Sequence, residues 1–272
     1  MRPARPDLAP DPALSRAEME ALQDEVRAAA VFEDDLPFDP AHVSASASLT
    51  AATGTASDEQ TTLGGGESDA ADRPLVAGVD QAFLDERAVS AVVVARGDEV
   101  VERAHAVSPL SVPYIPGLLS FREGGPILDA FAELDCEPDL ALFDGSGRIH
   151  YREAGLATHM GVVLDLPSVG VAKGLLCGRP AESTDGRPAG WRTPIRADGD
   201  VTAPEGTVVG YAFQSRQYEN SRSINPLYVS PGHRVAADTA VDLVERLGGD
   251  YKLPEPTRLA DAYADEVKQA VE

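Results

Sequence analysis

The sequence predicts an α/β protein with a central mixed β-sheet flanked by helices, and three observations carry that reading. Three β-rich runs follow one another between residues 75 and 106, with a tight turn between the last two. Beyond them, helix-spaced apolar stretches alternate with short apolar strands as far as residue 247. Alternation of that kind buries parallel strands under helices, and the antiparallel runs make the sheet mixed. At 272 residues and 43% hydrophobic content, the chain is long enough to bury one substantial core.

Taken in order, Met19, Leu22, Val26 and then Ala29 or Ala30 recur at helical spacing, so residues 15–31 should form an amphipathic helix packed on the core. Residues 1–44 are read as this N-terminal helical segment. From 45 to 73 the composition is Ser, Thr, Ala, Gly and Asp with almost no large apolar side chain, including Gly64-Gly65-Gly66. Such a stretch buries too little to fold and is expected to be a disordered insert. Residues 74–272 should form the main domain. Its first strands are expected at 75–83, 88–96 and 99–106, with Gly97-Asp98 turning between the last two. Proline punctuation from 109 to 116 marks a loop that feeds a helix over 118–134, ending near Pro138. Residues 139–143 read as a buried parallel strand that stops at Asp144-Gly145. A helix at 155–164, a strand at 168–172, strands around 208–216 and 227–229 and a helix at 235–247 complete the alternation. The tail after Pro254 reads as a short surface helix over 259–271.

Composition sets limits on function. The formal charge is −22, and lysine occurs only at Lys173, Lys252 and Lys268. Nucleic-acid binding normally needs a basic footprint, so this balance argues against it. Acidic residues spread along the whole length, however, look like a halophile's surface. In molar salt the Debye length falls to about 3 Å, and only local contacts to a phosphate backbone then count. Cys136 and Cys177 lie far apart without metal-type spacing, which suggests neither a zinc site nor a disulfide framework. No charged-then-apolar leader follows Met1 and no run of about 18 apolar residues occurs, so a cytoplasmic protein without membrane association is expected.

Three acidic residues stand where chemistry would use them. Asp80 lies inside the apolar run Val76-Ala77-Gly78-Val79, Glu123 opens a helix, and Asp144 ends a strand. A carboxylate on a central strand is costly to bury unless something compensates, and Mg²⁺ or Mn²⁺ is a common compensator. Asp144 also stands at the carboxyl end of a strand, where ligands bind in open α/β sheets. Singly, each has an ordinary alternative: a strand-end cap, a charge in the first turn of a helix, a turn residue.

The strings around them tell more. "PYIPGLLSFREGGPIL", "PDLALFDGSGRIH", "GLATHMGVVLDLPSVGVAKGLL", "YVSPGHRV" and "LPEPTRLAD" occur in that order over roughly residues 75–261. Long, non-repetitive strings in fixed order are far more specific than one glycine motif, and these resemble the successive motifs of the endonuclease V family. The resemblance implies a ribonuclease H-like fold, in agreement with the alternation above.

It also implies a site. Asp80, Glu123 and Asp144 match the family's metal-binding carboxylates, Lys173 a catalytic lysine and His233 an active-site histidine. Mg²⁺, with Mn²⁺ as a substitute, would polarise a phosphate and activate water. Lys173 would stabilise charge on phosphate oxygens, and His233 would position nucleophile or substrate. Tyr114 matches a wedge tyrosine that replaces stacking where a damaged base leaves the helix, worth about 1 to 3 kcal/mol per base. Leu119, Gly145, His150 and Leu156 would form the pocket for the extruded base, Gly145 because a missing side chain lets backbone approach. Ser146 stands where histidine is common and Tyr151 where proline is common, both beside that pocket. The implied activity is Mg²⁺-dependent hydrolysis of the second phosphodiester 3′ to deoxyinosine in DNA, by a monomer. Inosine-containing RNA is the alternative substrate, and a nucleic-acid-binding protein that has the fold without turnover is the remaining reading, ranked below both because Asp80, Glu123 and Asp144 are all present.

Overall fold

The computed structural model describes residues 1–44, 73–218 and 224–272. The expected insert at 45–73 lies, apart from Arg73, outside the described residues.

Ser15 opens α1 (Arg16–Ala29) with a capping box: its side chain accepts from the Glu18 N–H, and the Glu18 carboxylate accepts from the Ser15 N–H. The meander forms as expected, with β1 (Leu75–Leu84) antiparallel to β2 (Arg87–Arg96) and β2 antiparallel to β3 (Glu99–Pro109). Helix α2 (Leu119–Ala132) then leads to β4 (Leu140–Asp144), and α3 (Leu156–Leu164) to β5 (Ser168–Ala172). The parallel pairs β1–β4 and β4–β5 make the centre of the sheet. Four further strands, β6 (Arg179–Pro180), β7 (Arg192–Arg196), β8 (Val208–Phe213) and β9 (Leu227–His233), pair antiparallel in the order β5-β9-β8-β7-β6. The described sheet is thus nine-stranded and mixed. The short β6 and β7 were not expected, because two and five residues broken by Pro180 and Pro194 carry too little alternation to read.

Helices cover both faces. Ile127, Ala130 and Phe131 of α2 and Leu156, Ala157, Met160 and Leu164 of α3 pack against Ala77, Val79, Ala141 and Phe143. Residues of opposite parity on the same strands, Val76, Leu140, Leu142, Val169 and Val171, meet α4 (Ala237–Arg246) through Val241 and Val244. On this second face α5 (Glu255–Val271) lies across β1 and β2, burying Leu259, Ala260, Ala264 and Val267. The tail is therefore a packed helix that starts at Glu255, not a short surface helix. Gly78 permits the contact, since a Cβ there would come within 1.9 Å of the Pro256 carbonyl oxygen. Among the described residues, no helix is long and apolar enough to cross a membrane.

Candidate active site

Alternation and register bring the site together. Val79 of β1 pairs with Phe143 of β4, so the next step along the two parallel strands sets Asp80 beside Asp144. Both follow the parity of Val76, Leu140 and Leu142 and face the side covered by α5. Lys173, two residues past Val171 and just beyond the end of β5, keeps the same parity, and its Nζ donates to Asp144 Oδ2 at 2.6 Å. Glu123 comes from α2, whose position beside β1 is fixed by Gln81: its Nε2 donates to the Glu123 carbonyl oxygen at 3.0 Å. All four side chains line one cavity of about 460 Å³.

That cavity is electrostatically loaded. Burial, and then the neighbouring charge of Asp144, push Asp80 up to about 8, although the Gln81 N–H donates to its Oδ1 at 2.7 Å. Burial likewise pushes Glu123 up to about 7, with Arg122 opposing the rise and Asp144 adding to it. Burial disfavours the charge on Lys173, but the hydrogen bond and charge of Asp144 outweigh it and raise the ammonium above its ordinary value. Desolvated acids that retain protons near neutrality are what a hard divalent cation replaces. The donor set is all carboxylate oxygen, which fits Mg²⁺ or Mn²⁺. Among the described residues, no three such side chains are already gathered at metal-binding distance, and Lys173 holds one of the Asp144 oxygens.

A second cavity, of about 330 Å³, adjoins the first and shares Tyr114, Leu119 and Leu156 with it. Gly145 and His150 line it, so every expected base-pocket residue meets at one place. Tyr114 stands 66% exposed on the wall common to both cavities, a costly position for an aromatic ring without a partner. His150 is buried, and burial pushes its imidazole down to about 4.

His233 does not join them. Strand β9 runs antiparallel to β5, pairing Tyr228 with Ala172 but His233 with Ser168. The histidine therefore sits at the beginning of β5, at the opposite end of the strands from Asp144 and Lys173. Its Nδ1 accepts from the Val31 N–H at 3.2 Å and its Nε2 lies 3.5 Å from Asp165 Oδ1, in a separate depression with Arg234. The expected active-site role is corrected on that ground. The "SPGH" string held no sign of strand direction, which decides the matter.

The structure adds residues in its place. Asp261 of α5 lines the carboxylate cavity, and its hydrogen bond to Asp80 helps to raise that group. Arg122 and Phe83 line it as well, with the guanidinium 5.4 Å from the ring centroid. Asp261 ends one of the strings already singled out, directly after the buried pair Leu259-Ala260; a helix read from Glu255 would have shown it beside that sheet-facing stripe.

Residues 63–262 match the family model for endonuclease V. An endonuclease V of Natronomonas pharaonis is 58% identical over 268 residues, covering 98% of each chain. The crystal structure of an endonuclease V from Streptomyces avermitilis has a TM-score of 0.72 at 31% identity, covering 98% of each chain. That of Ciona intestinalis endonuclease V, in complex with a 24mer DNA containing an inosine followed by a ribo-adenosine, has a TM-score of 0.67 at 23% identity over 94% of this chain and 98% of that one. The architecture is accordingly ribonuclease H-like.

Proposed function

Since the chain belongs to the endonuclease V family and is thus a nuclease, we propose that it cuts a nucleic-acid strand beside inosine, with deoxyinosine in DNA as the substrate. The observation that carries this reading is the pair of adjoining cavities, one lined by carboxylates and one by backbone and apolar groups, with Tyr114, Leu119 and Leu156 common to both. A base turned out of the stack into the second would bring its own strand across the first. The Ciona relative was crystallised with an inosine-containing DNA, which supports the same substrate here.

Asp80, Glu123, Asp144 and Asp261 would hold Mg²⁺, with Mn²⁺ as a substitute. The ion supplies a Lewis acid for the phosphate and activates water. Asp80 and Glu123, both pushed up by burial, would have to give up their protons to hold it, so metal affinity should rise with pH. Lys173 turns from Asp144 to the phosphate oxygens, and with Arg122 it offers positive charge inside an acidic protein. Hydrolysis at the second phosphodiester 3′ to the lesion would leave 3′-hydroxyl and 5′-phosphate ends. Tyr114 fills the gap left by the extruded base, and the protein works as a monomer in the cytoplasm. The domain reading that goes with this function is a catalytic domain over 74–272 preceded by the N-terminal helical segment and the insert.

The test is a nicking assay on matched DNA and RNA oligonucleotides carrying one inosine or one adenosine, with Mg²⁺ or EDTA, from low to molar KCl. Nicking of inosine DNA only, and only with metal, is expected. Preference for inosine RNA would change the substrate, and folded protein that nicks neither at any salt would overturn the reading.

A further inference from the structure

Helix α1 buries a side chain that its packing does not call for. Gln23 lies in the same stripe as Met19 and Val26 and has no exposed surface. Burying an amide among apolar groups is costly unless its hydrogen bonds are recovered, so its presence there asks for a reason. Its Nε2 donates to the Gly117 carbonyl oxygen at 2.7 Å, whereas its Oε1 has no partner among the described residues. Gln23 also lines the second cavity, to which Gly117 itself belongs.

The same carbonyl is held from the other side, by His150 Nε2 at 3.0 Å. His150 Nδ1 accepts from the Arg152 N–H at 3.1 Å, so in the neutral ring the proton must lie on Nε2 and the ring donates to Gly117. Two donors, one from α1 and one from the turn after β4, converge on one oxygen. Gly117 has φ of +82°, and a Cβ there would meet the Tyr151 ring at 3.1 Å. This backbone shape is reserved for glycine, and it forms the corner between Tyr114 and Leu119.

We infer that Gln23 is a positioning residue for base recognition: together with His150 it fixes the Gly117 carbonyl, and through that corner it sets the loop that carries Tyr114 and Leu119. The inference rests on the reading of the second cavity as the base pocket. It also makes α1, which precedes the family-matched residues 63–262, a working part of that pocket.

Single-turnover cleavage of an inosine oligonucleotide, titrated with protein, gives a half-saturation point and a maximal rate. Gln23→Met keeps length and packing but removes the donor. It should raise the half-saturation point about tenfold, leave the maximal rate within about twofold, and bind an adenosine oligonucleotide as before. Gln23→Glu sets an acceptor against the carbonyl and should do at least as much. The His150→Leu change should also raise the half-saturation point, and the double variant should lose less than the product of the single losses, because both donors serve one oxygen. Arg27→Met, which loosens α1 at its 2.8 Å ion pair with Glu153, should lower thermal stability and move half-saturation less than twofold. If Arg27→Met matches Gln23→Met, the effect is helix docking and the inference falls. If His150→Leu weakens binding while both Gln23 variants do not, Gln23 has no positioning role and the base pocket stands. If neither His150→Leu nor Gln23→Met has an effect, the base-pocket reading fails and the inference with it.

Discussion

The two adjoining cavities solve opposite problems. In the first, Asp80 and Glu123 are desolvated beside Asp144, with Lys173 on Asp144 as the near counter-charge, and the acids retain protons at pH values where free carboxyls would be ionised. In the second, both ring nitrogens of His150 are used, the Gly117 carbonyl receives two donors, and the walls are largely backbone and apolar side chains. One region is loaded with buried charge, and the other is uncharged and already shaped. The first should therefore govern rate and respond to charge, while the second should govern affinity and respond to shape.

The largest effect that could break this division is at Asp144. Changing Asp144→Asn keeps the size of the side chain but removes the charge that Lys173 holds and that a metal would share. It should lower the maximal cleavage rate by about a thousandfold or more, with half-saturation on inosine DNA little changed. Asp80→Asn should behave alike. Were either variant to nick at the wild-type rate, the carboxylate cavity would not be the catalytic one.

A smaller effect is expected at the shared wall. Tyr114→Ala removes an exposed ring that packs on nothing substantial, so the fold should keep its stability. If the ring replaces lost stacking, affinity for inosine DNA should fall by about 1 to 3 kcal/mol, roughly five- to 150-fold. Undamaged DNA should be affected less, as anisotropy titrations would show; equal losses on both would remove the wedge role and blur the boundary between the two regions.

Legibility in the sequence followed the same division. Asp80 and Asp144 stand out because the one interrupts an apolar strand and the other ends one, and strand periodicity is local; their role in a site, like that of Lys173, came with the resemblance of the surrounding strings. The paired strands then placed Lys173 with them. Asp261 escaped because it sits on a helix whose first turn, Glu255-Pro256-Thr257, looks like a loop; nothing local told that Gly78 would admit that helix against the sheet. His233 was misread for a related reason: its string is apolar and strand-like, but which end of the sheet it reaches depends on the antiparallel pairing of β9 with β5. Gln23 was passed over among Met19, Leu22 and Val26, because a polar residue in a helical stripe reads as an irregularity until its partner, 94 positions away, is in view. Contacts within a strand or helix were visible; those set by how distant segments meet were not.

The smallest effect concerns stability and pH. A carboxyl whose pKa is higher folded than unfolded stabilises the fold fully below its unfolded value and loses that contribution as pH climbs through the folded one. Asp80 rises from 3.8 to about 8 and Glu123 from 4.5 to about 7. In EDTA, these two groups should therefore make the protein progressively less stable between about pH 4 and pH 8. In a protein of this size each kcal/mol amounts to about 2 to 4 °C in Tm. Saturating Mg²⁺ should offset the loss where the acids are ionised, so its gain in Tm should be small near pH 5 and larger near pH 8. Replacing Asp80 by Asn removes one titrating group and should flatten the EDTA profile up to pH 8, whereas His150→Leu, in the other cavity, should change it only below about pH 7.5, where the unfolded imidazole takes up a proton that the buried one does not. A gain from Mg²⁺ that does not depend on pH, or an Asp80→Asn profile as steep as that of the wild type, would mean that the raised carboxyls are not the groups the metal engages.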